Sequence, residues 1–168
     1  TLGDGGGWIG AGAGNDTLTG GIGVDYLYGH AGDDIIYGGA GDDKIYGGAG
    51  DDTLYASFGA DLEDGGEGID TYIIRETLSY IPVIDLKLET AYLQGSSPDY
   101  SNSVANIENV TMLGDSAIEI IGSDGGNILK GGSGNDTLDG GAGNDVLNGG
   151  SGNDTYKYNY TGRDTIVD

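Results

Sequence analysis

Aspartate recurs at Asp16, Asp25, Asp34, Asp43, Asp52, Asp61 and Asp70, each nine residues after the last, and again at Asp136, Asp145 and Asp154. Asn127 holds the same place one step before Asp136, and Asp164 follows Asp154 after a one-residue slip. The residues just before these carboxylates are mostly glycine. Carboxylate and main-chain carbonyl oxygens are hard ligands suited to calcium, and glycine-rich turns expose carbonyls with no side chain in the way. Other chemistries lack their residues. The single histidine, His30, has no paired nucleophile, which argues against a Ser-His-Asp system. The absence of cysteine removes thiolate nucleophiles, zinc–thiolate sites and disulfides. A phosphate cradle needs a helix N-terminus after its glycines, and usually a lysine. Carboxylate pairs can hydrolyse glycosides, but here the aspartates are already assigned to metal. Calcium whose coordination sphere is filled by protein is a poor hydrolytic ion. The reading is of a binding module and not an enzyme.

The elements that must position the aspartates follow from the repeat. In rows of nine from Ala11 the chain reads AGAGNDTLT, GGIGVDYLY, GHAGDDIIY, GGAGDDKIY, GGAGDDTLY, ASFGADLED and GGEGIDTYI, ending at 73, with a weaker row LGDGGGWIG at 2–10. A second block, GSDGGNILK, GGSGNDTLD, GGAGNDVLN and GGSGNDTYK, runs from 122 to 157, and NYTGRDTIV follows at 159–167. The common pattern is G-G-x-G-x-D-x-U-x, with U a large apolar residue. The first six positions read as a turn, where glycine supplies positive φ and close backbone approach. The last three read as a short strand, in which U and its neighbours face opposite ways. The U column runs Ile9, Leu18, Leu27, Ile36, Ile45 and Leu54, then Leu129, Leu138, Leu147, Tyr156 and Ile166.

Composition narrows the class. Glycine at 37 positions is about three times ordinary usage. It argues against a helical bundle, since an interior glycine weakens a helix by about 1 kcal/mol, and its spacing excludes collagen. The formal charge of −22 opposes nucleic acid and anionic lipid. The acids are spaced and not run together, unlike those of an acidic disordered tail. No apolar run reaches the ~18 residues of a membrane span. No signal peptide is visible, and a start at Thr1 without methionine reads as a chain cut from something longer.

The nonapeptide rows closely resemble the repeats-in-toxin (RTX) family, with its hemolysin-type calcium-binding repeat. The resemblance implies an all-β fold, a parallel β-roll. This is a right-handed β-solenoid with two nonapeptides per coil, so that rows n and n+2 stack with calcium between the stacked turns. It also implies the ligand set. The earlier turn gives the carbonyls of its second and fourth residues and its aspartate; the later turn gives the carbonyls of its first and third residues and its own aspartate. One site then uses Asp16 and Asp34 with the carbonyls of Gly12, Gly14, Gly29 and Ala31. Asp25 pairs with Asp43, Asp34 with Asp52, Asp43 with Asp61, Asp52 with Asp70 and Asp136 with Asp154. Asp145 pairs with Asn127 on one side and Asp164 on the other. The remaining carbonyls are those of Gly21, Gly23, Gly32, Gly38, Ala40, Gly41, Gly47, Ala49 and Gly50 in the first block. In the second they are those of Gly132, Gly134, Gly140, Ala142, Gly149 and Ser151. Interior aspartates each bridge two ions, and about six to eight calcium ions are expected.

Energetics agree with that implication. One leucine-sized residue per nine makes a thin core, worth ~1.5–3 kcal/mol per row against the entropy of ordering nine residues. Stacked aspartates ~5 Å apart repel by about 3 kcal/mol at an effective dielectric near 20. Without a cation the stack should not form.

Departures from the pattern carry their own expectations. Gly7 stands where an aspartate belongs, so the first row donates carbonyls at best. Asn127 keeps an oxygen but loses the charge. Row 56–64 lacks its first two glycines and puts Glu63 in the apolar column, so Leu62 is expected inside through a one-residue slip. His30 reads as a surface turn residue that tolerates the left-handed region. Asp33, Asp42 and Asp51 read as solvent-facing charges, with a role behind the ligand aspartates as the alternative. Tyr28 is expected to stack on Tyr46 and Tyr37 on Tyr55, covering the sheet faces in preference to forming a carbohydrate platform.

Residues 1–168 read as one domain: a first block at 2–73, a non-repeating segment at 74–121 and a second block at 122–168. In the segment, Ile84, Leu86 and Leu88 alternate with polar residues, and further strands are expected at 107–112 and 118–121. A short turn fits within 86–93, and 95–103 reads as a polar loop. The segment is expected to form calcium-free coils or a protruding loop that leaves both blocks in one solenoid.

Three functions fit. One is a monomeric, calcium-triggered folding module of a large secreted toxin or adhesin; the resemblance implies Gram-negative type I secretion, with the chain unfolded in the calcium-poor cytosol. Another is the C-terminal accessory module of an extracellular protease, lipase or alginate epimerase. The third is a surface for polysaccharide or ice. The ice version is weak, because the outward columns mix tyrosine, threonine and aspartate where flat Thr/Asn columns are needed.

Overall fold

The computed structural model describes residues 1–56, 58–75, 81–94, 101–159 and 161–167, with the backbone alone at 81, 92–94 and 101. All regular structure among them is strand. The first block forms β1 (Trp8–Ala13), β2 (Thr17–Ile22), β3 (Tyr26–Ala31), β4 (Ile35–Ala40), β5 (Lys44–Ala49), β6 (Thr53–Tyr55), β7 (Leu62–Glu67) and β8 (Thr71–Ile74). The middle segment forms β9 (Ile81–Asp85), β10 (Thr90–Gln94), β11 (Ser101–Ala105), β12 (Asn109–Met112) and β13 (Glu119–Ile121). The second block forms β14 (Ile128–Lys130), β15 (Thr137–Asp139), β16 (Val146–Asn148), β17 (Thr155–Lys157) and β18 (Thr165–Val167).

Within each block, successive strands alternate between two sheets. One runs β1-β3-β5-β7-β11-β10-β9-β13-β15-β17 and the other β18-β16-β14-β12-β8-β6-β4-β2. The pairing inside a block is parallel and shifts by eighteen residues, as in Leu27 beside Ile45 and Leu18 beside Ile36, or by nineteen where β16 meets β18. Rows n and n+2 therefore stack, and the architecture is the expected parallel β-roll.

The core is the U column. Leu18, Leu27, Ile36, Ile45, Leu54, Tyr72, Leu129, Leu138 and Leu147 are all buried. Ile9 and Tyr156 pack against it from its two ends. Ile166 does not join it and is 52% exposed, on the edge strand β18. Outside the core, Tyr28 and Tyr46 stack with centroids 4.9 Å apart, and Tyr37 and Tyr55 at 4.3 Å, as the spacing predicts. The Arg75 guanidinium lies 4.2 Å from the Tyr55 centroid and closes that stack as a cation over a π-face.

Two local expectations need correction. The six-residue turn and three-residue strand describe the second block, but most first-block strands have six residues and extend through the first three positions of the next row. Pairing skips the first position: β3 and β5 pair at Tyr28–Tyr46 and His30–Gly48 but not at Gly29–Gly47. Nor does row 56–64 slip. Glu63 pairs with Ile45 and is fully buried, while Leu62 pairs with Lys44 and is half-buried. The register is held because β7 pairs with β5 along its length, and a slip would turn every residue of the strand to the other face.

In the middle segment, the strands begin later than the apolar pattern indicates, at Asn109 and Glu119. Leu86 is buried, but Leu88 is exposed in the turn that joins β9 to β10. The end of the expected polar loop, 101–103, is strand β11, and 95–100 lie outside the described residues. The three strands β9, β10 and β11 form an antiparallel meander. β11 continues parallel from β7, and β9 continues parallel into β13, so the sheet passes through the insertion unbroken.

Candidate metal centre

Each ligand-position aspartate stands just before the strand of its own row and sits above its counterpart one coil away. Its Oδ1 accepts the backbone N–H of the earlier counterpart. Asp34 accepts from Asp16 at 2.7 Å, Asp43 from Asp25 at 2.9 Å, Asp52 from Asp34 at 2.7 Å, Asp61 from Asp43 at 2.8 Å and Asp70 from Asp52 at 2.7 Å. The second block repeats this with Asn127 N–H to Asp145 at 2.8 Å, Asp136 to Asp154 at 2.9 Å and Asp145 to Asp164 at 3.2 Å. Two positions without a carboxylate still donate in the same manner: the Gly7 N–H to Asp25 Oδ1 at 2.7 Å and the Ile118 N–H to Asp136 Oδ1 at 2.9 Å. Two columns of acidic side chains result, one along each turn edge of the roll, and every pairing expected from the repeat is a neighbour in a column.

The second oxygen points to a candidate cation site. The Oδ2 atoms of Asp34, Asp43, Asp52, Asp70, Asp136, Asp145 and Asp154 are buried with no hydrogen-bond partner. An unpaired buried carboxylate oxygen is costly unless a cation compensates it. In the first block this oxygen also faces a main-chain carbonyl. A β-carbon on Gly47 would collide with Asp52 Oδ2 and with the Gly65 carbonyl, 2.5 Å away; one on Gly29 would meet Asp34 Oδ2 and the Gly47 carbonyl at 2.6 Å. At Gly140 and Gly149, too, the row's own aspartate Oδ2 fills the space. The first glycine is thus required by crowding. The second and fourth are required by conformation: Gly48 and Gly50 have φ of 122° and 131°. His30 adopts the same second position at φ 81°, exposed, as a turn residue.

The carbonyls proposed from the other positions lie in the inter-coil stack. Those of Ala31, Ala40 and Ala49 accept the N–H of the fourth residue one coil earlier, at 2.7–2.8 Å. The Gly132 carbonyl accepts from Ser151 at 2.9 Å. The Gly14, Gly23, Gly32 and Gly41 carbonyls each lie where a β-carbon on the fourth glycine one coil later would collide. The first-position carbonyls of Gly38, Gly47 and Gly140 lie beside carboxylate or amide oxygens at the neighbouring turn. Among the described residues no three acidic or imidazole groups converge, so an ion here draws on paired carboxylates and carbonyls, a hard oxygen set that fits calcium.

Electrostatics point the same way. Burial pushes the Asp43 and Asp70 carboxyls up to about 6, with neighbouring aspartate charges adding to the rise. Burial likewise raises Asp52, Asp136 and Asp145. A divalent cation offsets the cause of each shift. The adjacent Asp33, Asp42 and Asp51 are exposed, as expected, yet ordered: Asp33 Oδ1 accepts the Asp51 N–H at 3.0 Å, Asp42 Oδ1 that of Ala60 at 3.0 Å and Asp51 Oδ1 that of Ile69 at 2.9 Å. Asp25 differs from its column, because its Oδ2 accepts the Gly21 N–H at 2.7 Å. Asn127 presents its Oδ1 to the Ser123 N–H at 2.8 Å, keeping an oxygen on that side.

Two residues outside the repeat rows join the columns, and Glu63 of row 56–64 lies beside them. Asn102 Oδ1 accepts the Asp61 N–H at 3.2 Å, and Glu108 Oε2 accepts the Asp70 N–H at 2.8 Å, so each stands where the next aspartate would. Glu63 lies fully buried between the columns, faced by Tyr72, by the Asn102 amide 3.4 Å from Oε2, and by Asp61 and Asp43. Burial pushes it up to about 8. Asn102 and Glu108 had a signal: N-S-V-A at 102–105 and E-N-V-T at 108–111 retain the D-x-U-x half of the repeat without its glycines.

A family model of the RTX calcium-binding nonapeptide repeat, four copies long, matches residues 3–36, 10–45, 28–63, 37–72 and 121–156. No curated protein matches the chain. No helix among the described residues is long and apolar enough to cross a membrane. With repeat matches over more than half its length, with the stacked coils and with columns of inward carboxylates, the chain belongs to the RTX calcium-binding repeat family.

Proposed function

We propose that this calcium-binding RTX module is a folding switch within a larger extracellular protein, a toxin or adhesin exported through type I secretion. The observation that carries the reading is the column of buried aspartates whose Oδ2 atoms lack any partner. In calcium-poor cytosol these carboxylates repel and the thin core does not compensate, so the chain stays extended and exportable. Outside, where calcium is about tenfold above a Kd of ~0.1 mM, each site adds roughly 1.4 kcal/mol. Six to eight such sites reach the stability of an ordinary domain, ~5–15 kcal/mol.

The ions sit between stacked turns, each held by two carboxylates of one column and the carbonyls named above. The whole of 1–168 acts as one monomeric domain, and its role is structural and not catalytic. The test is circular dichroism of EDTA-treated protein during calcium titration. A cooperative coil-to-β change at submillimolar to millimolar calcium, absent with magnesium, is expected. A β spectrum unaffected by EDTA would overturn the switch.

A further inference from the structure

We infer that the non-repeating segment completes one more calcium site, closed by Glu108 and the Asn106 carbonyl over Asp70; this rests on the calcium reading of the repeat turns. Register places the parts. Val104 and Ala105 pair with Glu63 and Asp64, so Asn106 lies over Gly65. Asn109 pairs with Thr71, so Glu108 lies over Asp70. Three residues, 106–108, therefore cover the six-residue turn 65–70.

The shortened turn reproduces the contacts of a repeat turn. Glu108 Oε2 accepts the Asp70 N–H at 2.8 Å, the bond that Asp70 Oδ1 makes to Asp52 at 2.7 Å. A β-carbon on Gly65 would meet Asp70 Oδ2 at 2.5 Å and collide with the Asn106 carbonyl, just as one on Gly47 would meet Asp52 Oδ2 and the Gly65 carbonyl. Asn106 reaches this position through a left-handed backbone, φ 51°. Asp70 itself is fully buried, and its Oδ2 has no partner and faces this gap. Register alone sets Glu108 over Asp70, and its carboxylate reaches the Asp70 N–H as an aspartate does in a repeat turn. Gly66 and Gly68, second and fourth in the earlier turn with φ of 108° and 146°, supply the remaining carbonyls.

The equivalent place on the other column is built differently. There Asn102 turns its Nδ2 toward Asp61 Oδ2 at 3.5 Å, so an amide donor meets the carboxylate and no cation is needed. Beyond Glu108, the Asn127 Nδ2 donates to the Glu108 carbonyl at 2.6 Å, so an amide donor occupies the next gap of the column. One column thus carries a calcium across the junction between the first block and the insertion, while the other ends in an amide.

The experiment counts bound calcium by native mass spectrometry and isothermal titration on the full chain. Wild type is compared with E108Q, with E108D and with D52N as a repeat-turn control. E108Q is expected to hold one ion fewer than wild type with its β spectrum in calcium retained. E108D keeps the charge but withdraws it by one methylene, so it keeps the full count with one site weakened. If D52N loses ions while E108Q and E108D match wild type in count and affinity, the Glu108 site is refuted and the repeat sites stand. If D52N also matches wild type, the calcium reading of the turns falls as well. If E108Q does not fold, E108D decides: unchanged affinities refute the site.

Discussion

Asp52→Asn separates a cation-bridging role from a merely structural one, because a bridging role predicts opposite signs in calcium and in chelator. Asp52 is mid-column and 1% exposed. Its Oδ1 holds the Asp34 N–H at 2.7 Å, its own N–H binds Asp70 Oδ1 at 2.7 Å, and its Oδ2 is unpartnered. Asparagine keeps the first bond and places an amide nitrogen, which cannot coordinate, where Oδ2 was. Both flanking sites lose a ligand. With calcium about tenfold above Kd, two sites at ~1.4 kcal/mol each make D52N about 3 kcal/mol less stable. In chelator the sign reverses. Burial and then the Asp34 charge push the Asp52 carboxyl upward, and a neutral side chain removes repulsion of about 3 kcal/mol per neighbour at an effective dielectric near 20. D136N, which has Ile118 and no carboxylate as its neighbour on one side, should cost one site only. Urea unfolding in calcium reads the first sign. In EDTA, the concentration of trimethylamine N-oxide that induces β structure reads the second, since excluded osmolytes favour burial. Destabilisation by D52N under both conditions would refute the argument, as would ion losses equal to those of D136N.

Gly47→Ala puts a β-carbon onto Asp52 Oδ2 and the Gly65 carbonyl and should cost at least about 1–3 kcal/mol in calcium-saturated urea melts. Gly125→Ala, whose β-carbon would meet only Ser123 Oγ at 3.6 Å, should stay within about 0.5 kcal/mol; equal effects would show that crowding at the first glycine is unimportant. Glu63, raised by burial from its ordinary 4.5 to about 8, holds a proton in the folded state that the unfolded chain releases. That stability is full below pH 4.5 and is lost as pH rises through about 8, at up to roughly 1.4 kcal/mol per pH unit. E63Q should flatten the profile between about pH 6.5 and 8, above the range of Asp43 and Asp70; a slope identical to wild type would show that Glu63 is ionised throughout.

Where the nonapeptide is intact, fold and site are legible together, because one eighteen-residue period sets both the strand register and the aspartate column. The stacked tyrosines, the buried leucines and every aspartate pairing follow from it. Legibility ends where only half of the repeat survives. Asn102 and Glu108 carry the strand half, with Val104 and Val110 buried behind them, but no glycine turn announces them. The place of Asn102 depends on β11 pairing with β7 across about forty residues, which no local pattern encodes. Glu63 fails for a different reason. A charged residue in an apolar column argues for a slip, yet the slip would have broken pairing along all of β7. One buried carboxyl is the smaller penalty when burial keeps it protonated and the Asn102 amide reaches it at 3.4 Å.

The features expected to oppose folding without calcium are those that suit the chain to binding it. Adjacent coils of a β-sheet are ~4.8 Å apart, so one carboxylate per coil gives a column whose neighbours repel. The same spacing lets one ion touch two coils and one carboxylate touch two ions. Glycine at the first position is needed because Oδ2 and a carbonyl from the next coil already fill the space at Gly47. That requirement keeps the unliganded backbone at its most flexible, which raises the entropy lost on ordering. Six to eight divalent ions would neutralise more than half of the formal charge of −22, removing repulsion along both columns at once. Binding at one turn orders the glycines that form half of the next site, so ions should bind cooperatively along each column. The amide of Asn102, in place of a carboxylate, is where that cooperativity should stop along its own column.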